Sequence, residues 1–291
     1  MTRVKIYPAE GFGAHMRSVV ALSEEVEDVR NIAETGIGGF ANRVVVSDAS
    51  HLAGVLSSTS EYFIDGIIDM GTQDIEIPVG GLNLAGYNFE VSKLISSAAG
   101  YTMFKSPVGG SGNVLGKEYA IEVTGVGSQV YDLVSATGFD AFEFYKINYN
   151  DCSSLGSIEG YRQGLEVGTG RFGGKPELTL AGAWAGGFFI DTSIVRNLTD
   201  GAYSLFKAGG GFVMQSRFRS NHNVDLNATV SFLDFAPSNL PNASTLQLDG
   251  CLISRNTVFN SSDTTLIPNI ADSDLSSSWT RNVGIRNTFV G

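Results

Sequence analysis

The chain is short of cysteine and of long apolar runs, and each shortage excludes a class of protein. It contains two cysteines, Cys152 and Cys251, so a disulfide framework is excluded by number. The longest apolar run, residues 180–190, is interrupted by three glycines, and no segment approaches the ~20 apolar residues that span a bilayer. The N-terminal MTRVKIYPAEGF lacks the apolar region of a secretory signal, so no signal is predicted.

Positive charge is also scarce, which limits the partners. Lys and Arg total 19 against 30 Asp and Glu, a net charge of −11, and no basic cluster stands out. A surface that neutralises phosphates is therefore not expected, which argues against nucleic-acid binding. Anionic lipid or bacterial surfaces would repel the chain except through local or ion-bridged contacts, and no membrane insertion is expected.

Glycine and aromatic residues are plentiful and indicate many short strands. The chain has 36 Gly, 18 Phe and 10 Tyr but only 7 Pro. From Tyr62 onward, runs of roughly three to six residues alternate between apolar and polar and end at turn-forming residues. Examples are YAIEVTG, FEFYKINYN, ELTLAG and TLQLDGCLI, the last of which contains Cys251 as an expected small buried hydrophobe. No helical stretch separates these runs, so a sheet built from βαβ units is not expected.

Two all-β arrangements fit this pattern. The first is a right-handed parallel β-helix in which each coil contributes about three short strands. The second is an antiparallel β-sandwich or jelly roll. The β-helix is favoured because stacked coils need inward apolar residues, turns that tolerate left-handed residues, and few prolines. Residues 62–270 would then form about ten coils of roughly 20 residues each.

Residues 1–45 differ from the rest and are predicted to form an N-terminal attachment or oligomerisation segment. A helix is predicted over residues 22–34, with Ser23 capping its start. Its apolar residues, which are spaced as in a coiled-coil seam, are Leu22, Val26, Val29 and Ala33. Two interpretations stay open: this row is an oligomer interface, or the helix packs on its own domain.

The β-rich domain is predicted over residues 46–270 and is followed by a polar C-terminal tail, residues 271–291. A short helix near 48–56 would cap the first coil, because the open ends of a solenoid need covering. Ser47 is expected to cap this helix. Its expected apolar face consists of Leu52, Val55 and Leu56.

No cofactor or metal site is predicted. Residues 168–173 read GTGRFG, which matches the dinucleotide fingerprint, but the strand-like ELTL follows where a helix should open. The three histidines, His15, His51 and His222, have no partner at metal-ligand spacing, so a zinc site is not expected.

The carboxylates offer pairs, but the sequence does not single out catalytic residues. Glycan cleavage usually needs an acid and a base or nucleophile ~5–10 Å apart. Candidate pairs are Asp65 with Asp69 and Asp140 with Glu143. Aspartates beside glycine are ordinary turn residues, so the catalytic residues stay unknown and a protein without turnover is favoured.

Aromatic side chains are dense between residues 142 and 149. Phe142 and Phe144 are expected in the core. An outward-facing Tyr145 or Tyr149 would be able to stack on a sugar or on a partner surface.

The segment RVVVSDASHLAGVLSSTSEYFIDGIIDMGTQDIEIPVGGLNLAGYNF, residues 43–89, resembles the opening of β-helical tailspike and tail-fibre proteins of bacteriophages. In that family a short capping helix leads into a strand, a Gly turn, an I-x-I-P strand and an L-x-L-x-G coil. The ending SSSWTRNVGIRNTFVG, residues 276–291, is similar to the polar, Asn-rich tails of phage virion proteins.

The resemblance implies a structural virion protein of the tail or particle surface, made in the host cytoplasm. It implies a homotrimer whose N-terminal part docks on the virion and whose body contacts host surface glycan or neighbouring virion proteins. Two alternatives stay open. One is a polysaccharide-cleaving β-helix tailspike, acting as a hydrolase or lyase, and the other, from the sandwich arrangement, is a capsid cement or decoration protein.

Overall fold

The structure is a computed structural model, and it describes part of the chain. The described residues are 42–169, 171–199, 201–214, 217–227, 229–240, 245–249, 252–255, 267–269, 283–286 and 289–290. The chain divides into two compact units, one of residues 1–44 with 59–61 and the other of residues 45–58 with 62–291. The predicted helix 22–34, with Leu22, Val26, Val29 and Ala33, lies outside the described residues and stays a prediction.

Short strands make up nearly all of the described secondary structure. In the first half these are β1 (Asn42–Val46), β2 (Ser60–Ile64), β3 (Ile67–Asp69), β4 (Ile75–Glu76), β5 (Leu82–Gly86), β6 (Lys93–Ser96), β7 (Thr102–Lys105), β8 (Val114–Lys117), β9 (Ala120–Val123), β10 (Gln129–Val134), β11 (Ala141–Tyr145), β12 (Asn148–Cys152) and β13 (Gly156–Glu159). In the second half they are β14 (Gln163–Thr169), β15 (Arg171–Gly174), β16 (Leu178–Ala181), β17 (Ala183–Trp184), β18 (Phe188–Leu198), β19 (Tyr203–Ala208), β20 (Val213–Met214), β21 (Arg217–Leu226), β22 (Val230–Asp234), β23 (Thr245–Asp249), β24 (Leu252–Arg255), β25 (Val283–Arg286) and β26 (Phe289–Val290).

Most of the strands stack into three ladders that the chain visits in turn, and β17 and β20 pair with each other in a separate two-stranded sheet. The first ladder runs β2, β5, β8, β11, β14, β18, β21, β23, β25, and the second runs β3, β6, β9, β12, β15, β18, β21, β24, β26. The third ladder runs β4, β7, β10, β13, β16, β19, β22. The long strands β18 and β21 each serve the first two ladders. The fold is therefore all-β, as predicted.

Every pairing with a described register is parallel, as between β8 and β11 or between β10 and β13. The alternative of an antiparallel sandwich or jelly roll is therefore wrong for the described residues. Parallel neighbouring strands cannot be joined by tight hairpins. Here the chain returns to a given ladder only after contributing a strand to each of the other two.

The repeat is longer than the roughly 20 residues expected. Partner residues in successive turns lie 22 residues apart between Gly156 and Leu178 and 32 residues apart between Leu82 and Val114. Seven consecutive turns, from β2 to β22, have described strands in all three ladders. The extra length lies in the connections, such as residues 106–113 between β7 and β8.

The core forms because each strand turns alternate side chains inward, where they stack on the same position of the next turn. One such column in the third ladder is Ile75, Phe104, Tyr131, Gly156, Leu178, Phe206 and Leu233. Its apolar members are at most 3% exposed. Burying one such side chain stabilises a fold by about 1.5–3 kcal/mol, so these columns supply the main stabilising term.

Two glycines lie inside strands and face rings in the next turn. A Cβ on Gly116 would lie 2.3 Å from Cδ1 of Phe144, and one on Gly164 would lie 2.1 Å from Cδ2 of Phe188. Gly116 pairs with Phe144 and Gly164 with Phe188 across neighbouring strands. These glycines therefore make room for rings in the core and do not mark corners.

The predicted capping helix near 48–56 corresponds to a single 3₁₀ turn, η1 (Ala49–Leu52). Asp48, and not Ser47, caps it, since the Asp48 side chain accepts a hydrogen bond from the Ser50 amide. Leu52 and Leu56 are buried, but Val55 is fully exposed, because one turn is too short to carry an apolar face as far as residue 55. A second 3₁₀ turn is η2 (Pro237–Asn239).

The stretch predicted as a polar tail, residues 271–291, contains β25 and β26. β25 continues the first ladder on β23, and β26 continues the second ladder on β24. Among the residues that the structure describes, no helix is long and apolar enough to cross a membrane.

Candidate binding groove

A shallow groove of roughly 220 Å³ lies on the outward side of the first ladder, where β5, β8 and β11 run next to each other. Strand alternation places its polar and aromatic side chains outward, while Phe144 and its neighbours fill the core. Its lining side chains, which define the Tyr145 groove, are Asn83, Leu115, Lys117, Glu143 and Tyr145.

The register brings chemically different side chains side by side in the Tyr145 groove. Lys117 lies opposite Tyr145, and Leu115 lies between Asn83 and Glu143 in successive turns. The Tyr145 side chain is 47% exposed. A ring, an ammonium, a carboxylate and an amide therefore converge on one small surface, which suits a ligand with both apolar faces and hydroxyl groups.

Glu143 is held in place by a neighbour on the next turn. Gln163 Nε2 donates a 2.5 Å hydrogen bond to Glu143 Oε1. The side chain is only partly buried, so part of it faces solvent on the groove side. Fixing the carboxylate in advance lowers the ordering cost of binding.

A charged corner borders the groove beside Tyr145. Lys146 Nζ lies 3.2 Å from Glu118 Oε1 and 5.6 Å from the centre of the Tyr145 ring. Lys117 Nζ lies 4.0 Å from Glu118 Oε2. These ion pairs are solvent-exposed and each contributes at most about 1 kcal/mol, but together they restrict the directions that the three long side chains take.

The same corner carries the strained backbone of the described chain. Glu118 and Lys146 have φ values of 58° and 55°, and among the described residues they are the non-glycine residues with positive φ. This left-handed conformation costs on the order of 1–3 kcal/mol per residue and often marks functional sites. The Glu118 amide donates a hydrogen bond to the Tyr145 carbonyl at 2.9 Å. This bond links the connection after β8 to the end of β11, next to the groove.

One member of each candidate carboxylate pair, Asp69 and Asp140, stabilises a turn. The Asp69 side chain accepts a 2.9 Å hydrogen bond from the Gly71 amide. Asp140 Oδ2 accepts from Ser135 Oγ at 2.6 Å and from the Thr137 amide at 3.0 Å. Burial of the Asp140 carboxyl opposes its ionisation, but these hydrogen bonds prevail and lower its pKa. No described interaction joins Asp65 to Asp69 or Asp140 to Glu143.

The structure brings together a carboxylate pair that the sequence reasoning missed. Glu122 on β9 and Asp151 on β12 are direct partners in the second ladder. The register shifts between Tyr149 and Asp151, so Asn150 is skipped and Asp151 lies opposite Glu122. The bulge could be found only from the pairing, because nothing in NYNDC distinguishes which residue is skipped.

The structure shows which of the aromatic side chains between residues 142 and 149 lie in the core and which faces outward. Phe142 and Phe144 are buried, as predicted. Of the two tyrosines, Tyr145 faces outward, whereas Tyr149 is fully buried and its hydroxyl lies 2.9 Å from that of Tyr131. Because residues 145 and 149 lie on different strands with a corner between them, simple alternation does not relate their orientations.

Of the fingerprint-like residues, 168 and 169 lie in β14 and 171–173 lie in β15, where a helix would have to open. Cys152 is buried and unpaired, and its burial raises the pKa of its thiol to about 12. Within the described ranges, no three His, Cys, Asp or Glu residues cluster closely enough to hold a metal ion. Cys251, His15 and the side chain of His222 fall outside that description.

Comparison of the chain with protein-family models, with curated proteins and with solved structures finds no match in any of the three.

Proposed function

We propose that this chain is a structural protein of a bacteriophage particle, of the tail-fibre or tailspike kind, whose body is a right-handed parallel β-helix. The observation that carries the proposal is the set of three parallel ladders visited in turn. Crossovers between parallel strands are right-handed in about 98% of cases, which supports the proposed hand. A stack of this kind buries a continuous core without helices or disulfides and leaves its outward faces available for contacts.

The protein assembles as a homotrimer that is anchored to the virion by its N-terminal part, residues 1–45. Support comes from the heptad-like spacing of Leu22, Val26, Val29 and Ala33 and from the resemblance of residues 43–89 to tailspike openings. The assembled protein is located on the phage tail or the particle surface after synthesis in the host cytoplasm.

The Tyr145 groove is the surface that meets host glycan. Its exposed ring offers a stacking face for a sugar, and Asn83, Lys117 and Glu143 offer donors and acceptors for hydroxyl groups. Glu143 is the one carboxylate among the described lining residues, and glycoside hydrolysis usually needs two. The groove therefore supports binding without turnover.

Three measurements test this proposal, two on the purified full chain and one on phage particles. Sedimentation equilibrium should give the mass of a trimer, and immunogold labelling of phage particles should locate the protein on the tail or particle surface. Binding to surface polysaccharides of the host should be detected by calorimetry, with Tyr145→Ala reducing it. A monomeric mass, or particles without label, would overturn the proposal.

Glycan cleavage is the second candidate, and the Glu122–Asp151 pair favours it. Neighbouring strands lie about 4.8 Å apart, so two directly opposed residues can bring their carboxyl groups to the ~5–5.5 Å used by retaining glycosidases. Oligosaccharide release by the wild type that is lost in both Glu122→Gln and Asp151→Asn would establish this activity. The cement-protein alternative rested on the antiparallel sandwich and is not proposed.

A further inference from the structure

Exposed apolar side chains recur at one corner of three successive turns, where the third ladder leads back into the first. They are Val79, Val108 and Phe139, which we call the corner row. Val108 is fully exposed, and Val79 and Phe139 are 60% and 72% exposed. The rise between neighbouring turns is about 4.8 Å, so the three side chains follow one another along the same corner of the stack.

The first two members of the corner row are presented by the same turn sequence. Residues 78–81 and 107–110 both read Pro-Val-Gly-Gly. The Gly81 amide donates to the Pro78 carbonyl at 2.8 Å, and the Gly110 amide donates to the Pro107 carbonyl at 3.0 Å. In each of these two tight turns the valine lies at the tip, away from the core. The outward position therefore follows from a repeated local structure.

The third member is held outward by a different device. The segment 135–140 is closed by Asp140, which accepts from Ser135 and Thr137. The Phe139 amide donates to Thr137 Oγ1 at 3.0 Å. The loop is thus fixed by hydrogen bonds while its one large apolar side chain points into solvent, although the core of the same turn accommodates Phe142 and Phe144.

Charge distinguishes this corner from the rest of an acidic chain. The corner segments of the first four turns are residues 77–81, 106–113, 135–140 and 160–162, and their charged residues are Asp140 and Arg162 alone. The donors of its own loop stabilise Asp140 as a carboxylate, and the exposed Arg162 carries the opposite charge. A chain with net charge −11 repels its copies over most of its surface, but at this corner one carboxylate and one guanidinium leave no net charge.

We infer that the corner row is the line along which the bodies of the copies meet, each row in parallel contact with the same row of its neighbours. The contact buries three large apolar side chains that are exposed in the single chain. Corners that meet at a threefold axis bring identical residues together. The inference rests on the proposed trimer and names the surface that forms it.

Cysteine cross-linking of the full chain tests this contact directly. Val79→Cys and Val108→Cys are introduced separately into a Cys251→Ser background, in which Cys152 is buried. Val126→Cys is the matched control, because Val126 is 86% exposed at a different corner, between the second and third ladders. After mild oxidation, both row variants should lose most of their monomer band to a covalent dimer, whereas the control should stay at background.

The possible outcomes distinguish a failure of the corner-row contact from a failure of the proposed trimer. A trimeric mass with Val108→Cys cross-linking no more than Val126→Cys would overturn the corner row and leave the trimer standing. Cross-linking of Val108→Cys without Val79→Cys would indicate an antiparallel pair and would overturn the parallel contact. A monomeric mass for the unmodified chain would overturn the proposed trimer, and the contact with it. Circular dichroism of each variant checks that the fold is retained.

Discussion

The ring of Phe144 occupies the space that a side chain on Gly116 would need. A Cβ at residue 116 would lie 2.3 Å from Phe144 Cδ1 and 2.4 Å from Cε1. The two residues are direct partners in β8 and β11, so the ring of one turn covers the bare backbone of the turn before. Gly116 and Phe144 also border the Tyr145 groove.

Replacing Gly116 by Ala should therefore destabilise the protein by about 1–3 kcal/mol, the usual cost of overpacking a core. The urea unfolding midpoint measures the change. Gly210→Ala is the control, because nothing lies within 4 Å of a Cβ at residue 210. A second substitution, Phe144→Leu in the Gly116→Ala background, should recover part of the loss. Equal midpoints for Gly116→Ala and Gly210→Ala would contradict the packing argument.

Tyr145→Ala should weaken glycan binding by roughly 2- to 10-fold, the scale of one aromatic contact of about 0.5–1.5 kcal/mol. Isothermal titration calorimetry with host polysaccharide fragments measures it. Tyr87→Ala is the matched control: Tyr87 is 59% exposed and contacts Phe63, outside the groove. The groove assignment fails if both variants lose the same affinity or if neither loses any.

Asp140 should make the stability depend on pH in the acid range. Its pKa is lowered in the folded protein, so the unfolded chain binds a proton more readily and stability is lost as pH falls through the folded pKa. Asp140→Asn should be less stable than wild type at pH 7. The difference should shrink as the pH is lowered below about 3.9, the ordinary pKa of an aspartate. Thermal unfolding at a series of pH values measures both, and a difference that is constant with pH would contradict the role of the charge.

The thiol of Cys152 should be unreactive in the folded protein. It is fully buried, and burial raises its pKa to about 12, so little thiolate forms at pH 8. In a Cys251→Ser background, a thiol-reactive chromophore should label Cys152 slowly in buffer and rapidly in denaturant. Fast labelling under native conditions would mean that the second ladder opens near residue 152.

Sequence patterns predicted much of this fold because alternation and turn residues are local properties. The inward positions of Phe142 and Phe144 follow from two-residue periodicity on one strand. The number of residues in each turn of the stack could not be predicted from the alternation. The length of a connecting segment such as 106–113 depends on how the chain packs on the neighbouring turn. The capping residue was misassigned by one position, since Ser47 and Asp48 are both good caps and only the backbone at Asp48 decides between them.

The groove could be predicted only in part. Tyr145 was one of two candidates for an outward-facing aromatic side chain. The corner at Lys146, which separates it from Tyr149, contains no glycine, so the sequence does not indicate a turn there. Its partners Asn83, Lys117 and Glu143 belong to three different turns, and their proximity depends on the register between strands. The same dependence explains why Glu122 and Asp151 went unnoticed.

The sequence by itself determined that this protein is an all-β chain with few prolines, no disulfide framework and an acidic surface. These properties follow from the composition and from the alternation of apolar and polar residues, which is a pattern among close neighbours in the sequence. The tertiary structure decided the parallel direction of the strands, the bulge that places Asp151 opposite Glu122, and the alignment of Val79, Val108 and Phe139 on one corner. These depend on contacts between residues that lie 22 or more positions apart, and no local pattern specifies them.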